Sequence, residues 1–119
     1  MERICVTGGT GFIGRHLLEA LTAQGYAVRA LTRRDPPARS LPGLEWVPGR
    51  LEDLASLRAA LDSCNGVIHL AGLVQARTPA EFFRVNADGT ARLVEAVVQT
   101  GRPMRLVYVS SLAAVGPAR

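Results

Sequence analysis

Four glycines fall within the eight residues Thr7-Gly8-Gly9-Thr10-Gly11-Phe12-Ile13-Gly14, and their spacing defines the chemistry open to this stretch. A chain that passes from strand to helix in so few residues needs backbone angles that side chains forbid, and Gly8 and Gly9 can supply them. Gly11 allows the backbone to approach a ligand, and Gly14 allows the helix to lie close on the strand. Free N–H groups and the positive end of the helix dipole then converge on one point, a ready site for a phosphate. A kinase-type phosphate loop would end in Gly-Lys-Ser/Thr; that ending is absent, and the chain contains no lysine.

Such a motif is informative only between a strand and a helix. Ile4-Cys5-Val6 before it reads as a short buried strand, and Leu17, Leu18, Ala20 and Leu21 after it have helical spacing. A dinucleotide cradle is therefore the reading, against a plain tight turn.

The elements that follow alternate. Ala27–Thr32 reads as a second strand, 33–43 as an Arg/Pro/Gly-rich surface loop, and Leu44–Val47 as a short third strand ended by Pro48-Gly49. Asp53 stands at a helix N-cap ahead of Leu54, Leu57, Ala60 and Leu61. Gly66–Leu70 is a fourth strand, followed by a loop over 73–79. A long amphipathic helix from about Ala80 to Thr100 points Phe82, Phe83, Val85, Leu93, Ala96 and Val97 inward. Gly101-Arg102-Pro103 stops it, and Leu106–Val109 is a fifth strand ending in Ser110-Ser111.

Right-handed crossovers place these strands in one parallel doubly wound sheet of the Rossmann type, α/β in class, with strand order 3-2-1-4-5. Ligands then bind over the carboxyl ends of strands one and four, where the order reverses. The glycine turn, His69-Leu70-Ala71-Gly72 and Ser110-Ser111 all fall on that edge.

Composition narrows the function classes. The 119 residues suffice for one domain, and 48% hydrophobic with 20% charged residues suits buried parallel strands. No apolar run reaches membrane-spanning length and no signal peptide is evident, so a cytoplasmic location is expected. The net charge is +4 and all 14 basic residues are arginine, scattered along the chain, which argues against a nucleic-acid surface and makes most of them a solvated face, the short group Arg33, Arg34 and Arg39 excepted. Cys5 and Cys64 share no metal-ligand spacing and read as reduced thiols; His16 and His69 are too isolated to suggest a metal site.

Thr7–Gly14, Val67-Ile68-His69-Leu70-Ala71-Gly72, Val85-Asn86-Ala87-Asp88-Gly89-Thr90 and Val107-Tyr108-Val109-Ser110-Ser111, continuing to Gly116, together resemble the extended short-chain dehydrogenases/reductases, the NAD-dependent epimerase/dehydratase family. The resemblance covers essentially the whole chain. It implies that residues 1–119 form an NAD(P)-binding Rossmann domain, the N-terminal part of a longer enzyme. Gly8, Gly11, Phe12, Ile13 and Gly14 would line the pyrophosphate, and Leu70, Ala71 and Gly72 the ribose and linking phosphates. Asn86 would help organise the active site, or simply pack its helix. Ser111 would be the catalytic serine that hydrogen-bonds the substrate oxygen, or a strand-end cap.

Two departures from the family pattern matter. A Gly-Asp-Leu segment that holds adenine is here Gly49-Arg50-Leu51, leaving a backbone contact at Leu51 or a stacking Arg50. The family's catalytic tyrosine, with lysine four residues later, has no counterpart, since the only tyrosines are Tyr26 and Tyr108. This chain alone is therefore expected to bind cofactor without turning substrate over.

At the end of the second strand, where an NAD site places an acid, the chain has Thr32 followed by Arg33 and Arg34. An arginine fork suits a 2′-phosphate, so NADP is preferred over NAD unless these arginines only solvate the loop. The substrate class is a hydroxyl or carbonyl of a nucleotide sugar, sterol-like or other small alcohol. Pro117 after Gly116 leans toward reductase and hydroxysteroid-dehydrogenase-like members. The competing reading is a non-catalytic NAD(P)-binding sensor or scaffold. Self-association is expected through the open edge of the fifth strand.

Overall fold

The structure is a computed structural model, and it describes all residues except 1, 10, 34, 37–39, 71–77 and 110–119, together with the side chains of Phe82 and Val85. Its elements are β1 (Arg3–Thr7), α1 (Phe12–Ala23), β2 (Ala27–Thr32), β3 (Leu44–Pro48), α2 (Leu54–Leu61), β4 (Gly66–Leu70), α3 (Pro79–Gln99) and β5 (Arg105–Val109). All strand pairs are parallel, in the order β3-β2-β1-β4-β5. The order reverses between β1 and β4, as the alternation of elements requires.

Period-two alternation assigns the strand residues to two cores. Cys5, Leu31 and Val67 join Leu57, Leu61, Leu93 and Ala96 beneath α2 and α3. Val6, Val28, Ala30 and Leu70 join Leu18 of α1 on the other face. Both faces of the sheet are thus covered, which is what near-continuous apolar strands demand.

Helix ends follow the sequence closely. Asp53 accepts from the backbone N–H groups of Ala55 at 3.1 Å and Ser56 at 3.4 Å, starting α2. Pro79 opens α3 while Thr78 Oγ1 accepts from Glu81 N at 3.0 Å. Gly101, at φ +67°, closes α3 in a conformation that suits glycine.

Two expectations are corrected. Phe83 points outward and is 50% exposed, because the sheet-facing arc of α3 is taken by Asn86, Gly89, Leu93 and Ala96 and Phe83 lies outside it. Gly9 does not take a left-handed backbone; among the described residues of this turn only Gly8 does, at φ +81°. Gly9 is small for a different reason, since a Cβ there would stand 3.3 Å from Leu18 Cδ1.

Two of the arginines, Arg29 and Arg102, do not join the solvated face expected of most of them. Arg29 of β2 donates to the carbonyls of Ala60 at 3.1 Å and Asp62 at 2.7 Å. Arg102 donates to Cys64 O at 2.9 Å and Leu61 O at 3.1 Å. Two guanidinium groups therefore satisfy the carbonyls at and just beyond the end of α2, where the helix dipole is negative. Their carbonyl partners are at least 31 residues away in sequence, so local pattern could not reveal them. The two cysteines also meet across the core: a thiol–thiol hydrogen bond, together with burial, raises Cys5, and the same bond lowers Cys64.

Candidate functional site

The glycine turn sits at the carboxyl end of β1, on the edge where the strand order reverses. Gly8 turns the chain through its positive φ, and Gly11 N reaches back to Gly8 O at 3.4 Å. Gly11 is the N-cap of α1, with φ −81° and ψ 179°, and its lack of a side chain leaves no cap on the first turn. That turn also carries no acidic residue. The first N–H groups of α1 accordingly lack the side-chain partner that Asp53 gives α2 and Thr78 gives α3.

Gly14 explains how the helix can come so near. A Cβ at this position would lie 2.4 Å from Gly8 O and 2.6 Å from Gly9 Cα, which are backbone atoms. Any side chain would push α1 off the turn and spread the N–H groups. Phe12 and Ile13, at 69% and 54% exposure, stand in the open beside this turn. The Phe12 ring meets His16 edge to face at 4.7 Å.

One residue set aside in the sequence reading lies next to this edge. His69 is paired in register with Thr7 on one side and Tyr108 on the other. Its Nδ1 is 2.6 Å from Thr7 Oγ1 and its Nε2 is 3.0 Å from Thr90 Oγ1. The ring lies 5.5 Å from that of Tyr108. Burial lowers the His69 pKa, so the ring is neutral at pH 7, one nitrogen donating and the other accepting. His69 thus ties β1, just before Gly8, to α3. The available signal was a single polar residue inside an otherwise apolar buried strand, Val67-Ile68-His69-Leu70.

The other expected residues divide. Leu70 is buried at the end of β4, in the α1-side core, and Asn86 is buried on the inner face of α3, one turn before Thr90. Leu51 packs its side chain over Gly89, where a Cβ would come within 3.1 Å of Leu51 Cδ1. Arg50 is held by Ser56, whose Oγ accepts from Arg50 N at 3.0 Å and donates to Arg50 O at 3.2 Å. Arg33 is exposed at the end of β2 and pairs with Glu52 at 3.4 Å. Arg34, Ala71, Gly72, Ser110 and Ser111 lie outside the described residues, as do Gly116 and Pro117.

A separate cleft of about 500 Å³ opens between α2 and α3, lined by Arg58, Asp62, Gln99 and Arg102 among others. These residues precede β4 and β5, so the cleft belongs to the opposite edge of the sheet from the glycine turn. No group of three or more His, Cys, Asp or Glu among the described residues could hold a metal ion. No helix among them is long and apolar enough to cross a membrane.

Parallel strands in this order, with a glycine turn opening onto an uncapped helix, define a Rossmann-type dinucleotide-binding fold. Residues 4–119 match the NAD dependent epimerase/dehydratase family, and the chain belongs to it. It is 42% identical, over 97% of its length, to a ceramide reductase of Caulobacter vibrioides. It is 40% identical, over 98% of its length, to a Stigmatella aurantiaca ketoreductase acting on 4-hydroxy-2-methyl-3-oxo-4-farnesyl-3,4-dihydroquinoline-1-oxide. In both cases the match spans 36% of the relative. Among solved structures, a variant of uronate dehydrogenase from Agrobacterium tumefaciens complexed with NAD superposes with a TM-score of 0.75 at 31% identity, covering 93% of this chain and 41% of that one. The family is one of NAD(P)-dependent reductases, dehydrogenases and epimerases.

Proposed function

We propose that this chain binds the pyrophosphate of a nicotinamide dinucleotide at the start of α1, and that it forms the cofactor-binding part of a reductase acting on a carbonyl or hydroxyl of a small organic molecule. The observation that carries this reading is the β1–α1 turn, where glycines bring an uncapped helix N-terminus to the edge at which the strand order reverses. A dianionic pyrophosphate fits those donors because it supplies the acceptors and the negative charge that the helix end lacks.

In this reading Gly8, Gly11, Phe12, Ile13 and Gly14 offer backbone N–H groups and close approach to the phosphates. Leu70, Ala71 and Gly72 run along the ribose, and Leu51 offers its backbone to adenine. Asn86 organises the site from α3, and Ser111 hydrogen-bonds the substrate oxygen. Arg33 and Arg34 take the 2′-phosphate of NADP in preference to NAD. The Arg33 pair with Glu52 is exposed, so it holds the guanidinium only weakly and leaves it able to turn to a phosphate. The bound dinucleotide would supply or accept hydride.

The ketoreductase and ceramide reductase names support the reductase leaning. Titration of the purified chain with NADPH and NADH, read through Trp46 fluorescence or cofactor fluorescence, tests the proposal. Tighter binding of NADPH, with the ratio reduced on Arg33→Ala, is expected. Equal binding of the two would overturn the NADP preference, and binding of neither would overturn the cradle. Reductase turnover by the 119-residue chain is not expected in either case.

A further inference from the structure

Thr7 of β1, His69 of β4 and Tyr108 of β5 stand side by side in register, so their side chains leave the sheet on one face, the face that α3 covers. Each is the last residue of its strand to point that way. Beyond them come the segments expected at the site: the glycine turn after Thr7, Leu70 to Gly72 after His69, and Ser110-Ser111 after Tyr108.

His69 is the hub of this row. Its Nδ1 lies 2.6 Å from Thr7 Oγ1 and its Nε2 3.0 Å from Thr90 Oγ1 of α3, while its ring lies 5.5 Å from that of Tyr108. The ring is only 1% exposed, so a nitrogen that lost its partner would have no water to replace it. The bond at one nitrogen fixes the ring's orientation and tautomer for the other. Thr90 therefore braces the ring against α3, and the ring holds Thr7.

Thr7 leads straight into Gly8, whose φ of +81° begins the turn. There is no slack beyond that point, since a Cβ at Gly14 would stand 2.4 Å from Gly8 O. A displaced Thr7 displaces Gly8 and, through it, the N–H groups at the start of α1. Such donors hold a phosphate well only while they converge on it.

We propose that His69 is a positioning residue for the dinucleotide site: braced by Thr90, it holds Thr7 and so sets the glycine turn that receives the pyrophosphate. The proposal rests on the β1–α1 turn being the cofactor cradle, and gives His69 a part in affinity through Thr7.

Four variants separate the two bonds. In His69→Asn the amide stands near the place of Nδ1 and keeps the Thr7 bond; in His69→Gln it stands near the place of Nε2 and keeps only the Thr90 bond. Thr7→Val and Thr90→Val each remove one hydroxyl at nearly constant shape. NADPH titration of the purified chain at about pH 8, where the ring is neutral, is read through cofactor fluorescence. The unaltered chain is expected to bind. Thr7→Val and His69→Gln should each weaken NADPH about tenfold, the scale of one lost hydrogen bond, whereas Thr90→Val and His69→Asn should stay within about threefold. Denaturant unfolding distinguishes this from a purely structural part, because His69→Asn and His69→Gln each lose one bond and should be destabilised alike. Equal affinities in those two variants, or losses of affinity that follow losses of stability, overturn the proposal and leave the cradle standing. No binding by the unaltered chain overturns both.

Discussion

The N-termini of α1 and α2 begin from the same sheet edge and are finished in opposite ways. At α2, Asp53 folds its carboxylate over two backbone N–H groups, and Ser56 ties back to Arg50, so donors and dipole are satisfied within the chain. At α1, the corresponding residue is Gly11, which has nothing to offer, and no acid follows in the first turn. One helix end is complete; the other is left open. A helix N-terminus left without a side-chain partner is costly in the free protein and valuable for a ligand, and it lies where the fold opens between β1 and β4.

The contrast can be broken most severely at Gly14. Gly14→Ala forces a Cβ into Gly8 O and Gly9 Cα, and backbone atoms cannot rotate away. A loss of about 2–3 kcal/mol in denaturant unfolding is expected from such overpacking, with cofactor binding abolished. Gly25→Ala is the control: its φ of +94° costs about 1 kcal/mol but no atom lies within 4 Å, so binding should persist.

Gly11→Asp sharpens the comparison by making α1 resemble α2. The backbone at this position is extended, an ordinary N-cap conformation, and the carboxylate should stabilise the free protein by about 0.5–1 kcal/mol. The same carboxylate occupies the donors and repels phosphate, so NADPH affinity should fall more than tenfold in the fluorescence titration. A variant both more stable and still binding would refute the role of the open helix end. The reciprocal change, Asp53→Ala, should cost about 1 kcal/mol in the same unfolding assay and leave cofactor affinity unaltered.

His69 gives a smaller, pH-dependent effect. Its folded pKa is lowered by burial, so the unfolded chain takes up its proton first as pH falls. Stability is therefore unaffected by this group above its unfolded pKa of about 6.5, and is lost as pH falls below that value, by at most about 1.4 kcal/mol per pH unit. Denaturant midpoints measured from about pH 8 to pH 5 should show this decline, and His69→Gln should flatten the upper part of it. The smallest effect is expected from Arg33→Ala, whose exposed pair with Glu52 contributes less than about 0.5 kcal/mol to folding.

Much of this architecture was legible because it rests on local rules. The strand-glycine-helix passage at Val6–Gly14, the Asp53 cap, the Gly101 stop and the order 3-2-1-4-5 follow from backbone angles, side-chain reach of a few residues and the handedness of crossovers. Phe83 was misjudged because an amphipathic pattern identifies apolar positions without telling which arc meets the sheet. Gly9 was misjudged because a glycine can be favoured by a close neighbour, here the Leu18 side chain, as well as by its own φ.

The amino-acid sequence by itself determined the fold class, the parallel order and the glycine turn between the first strand and the first helix, since these depend on near neighbours and periodicity. Only the tertiary structure decided that Arg29 and Arg102 finish α2, that Cys5 meets Cys64, and that His69 joins Thr7 to Thr90. The physical reason is range. Hydrogen bonds and packing act over a few ångströms of space, and in a parallel sheet, where adjacent strands are separated by whole crossovers, residues within that reach stand tens of positions apart in the chain.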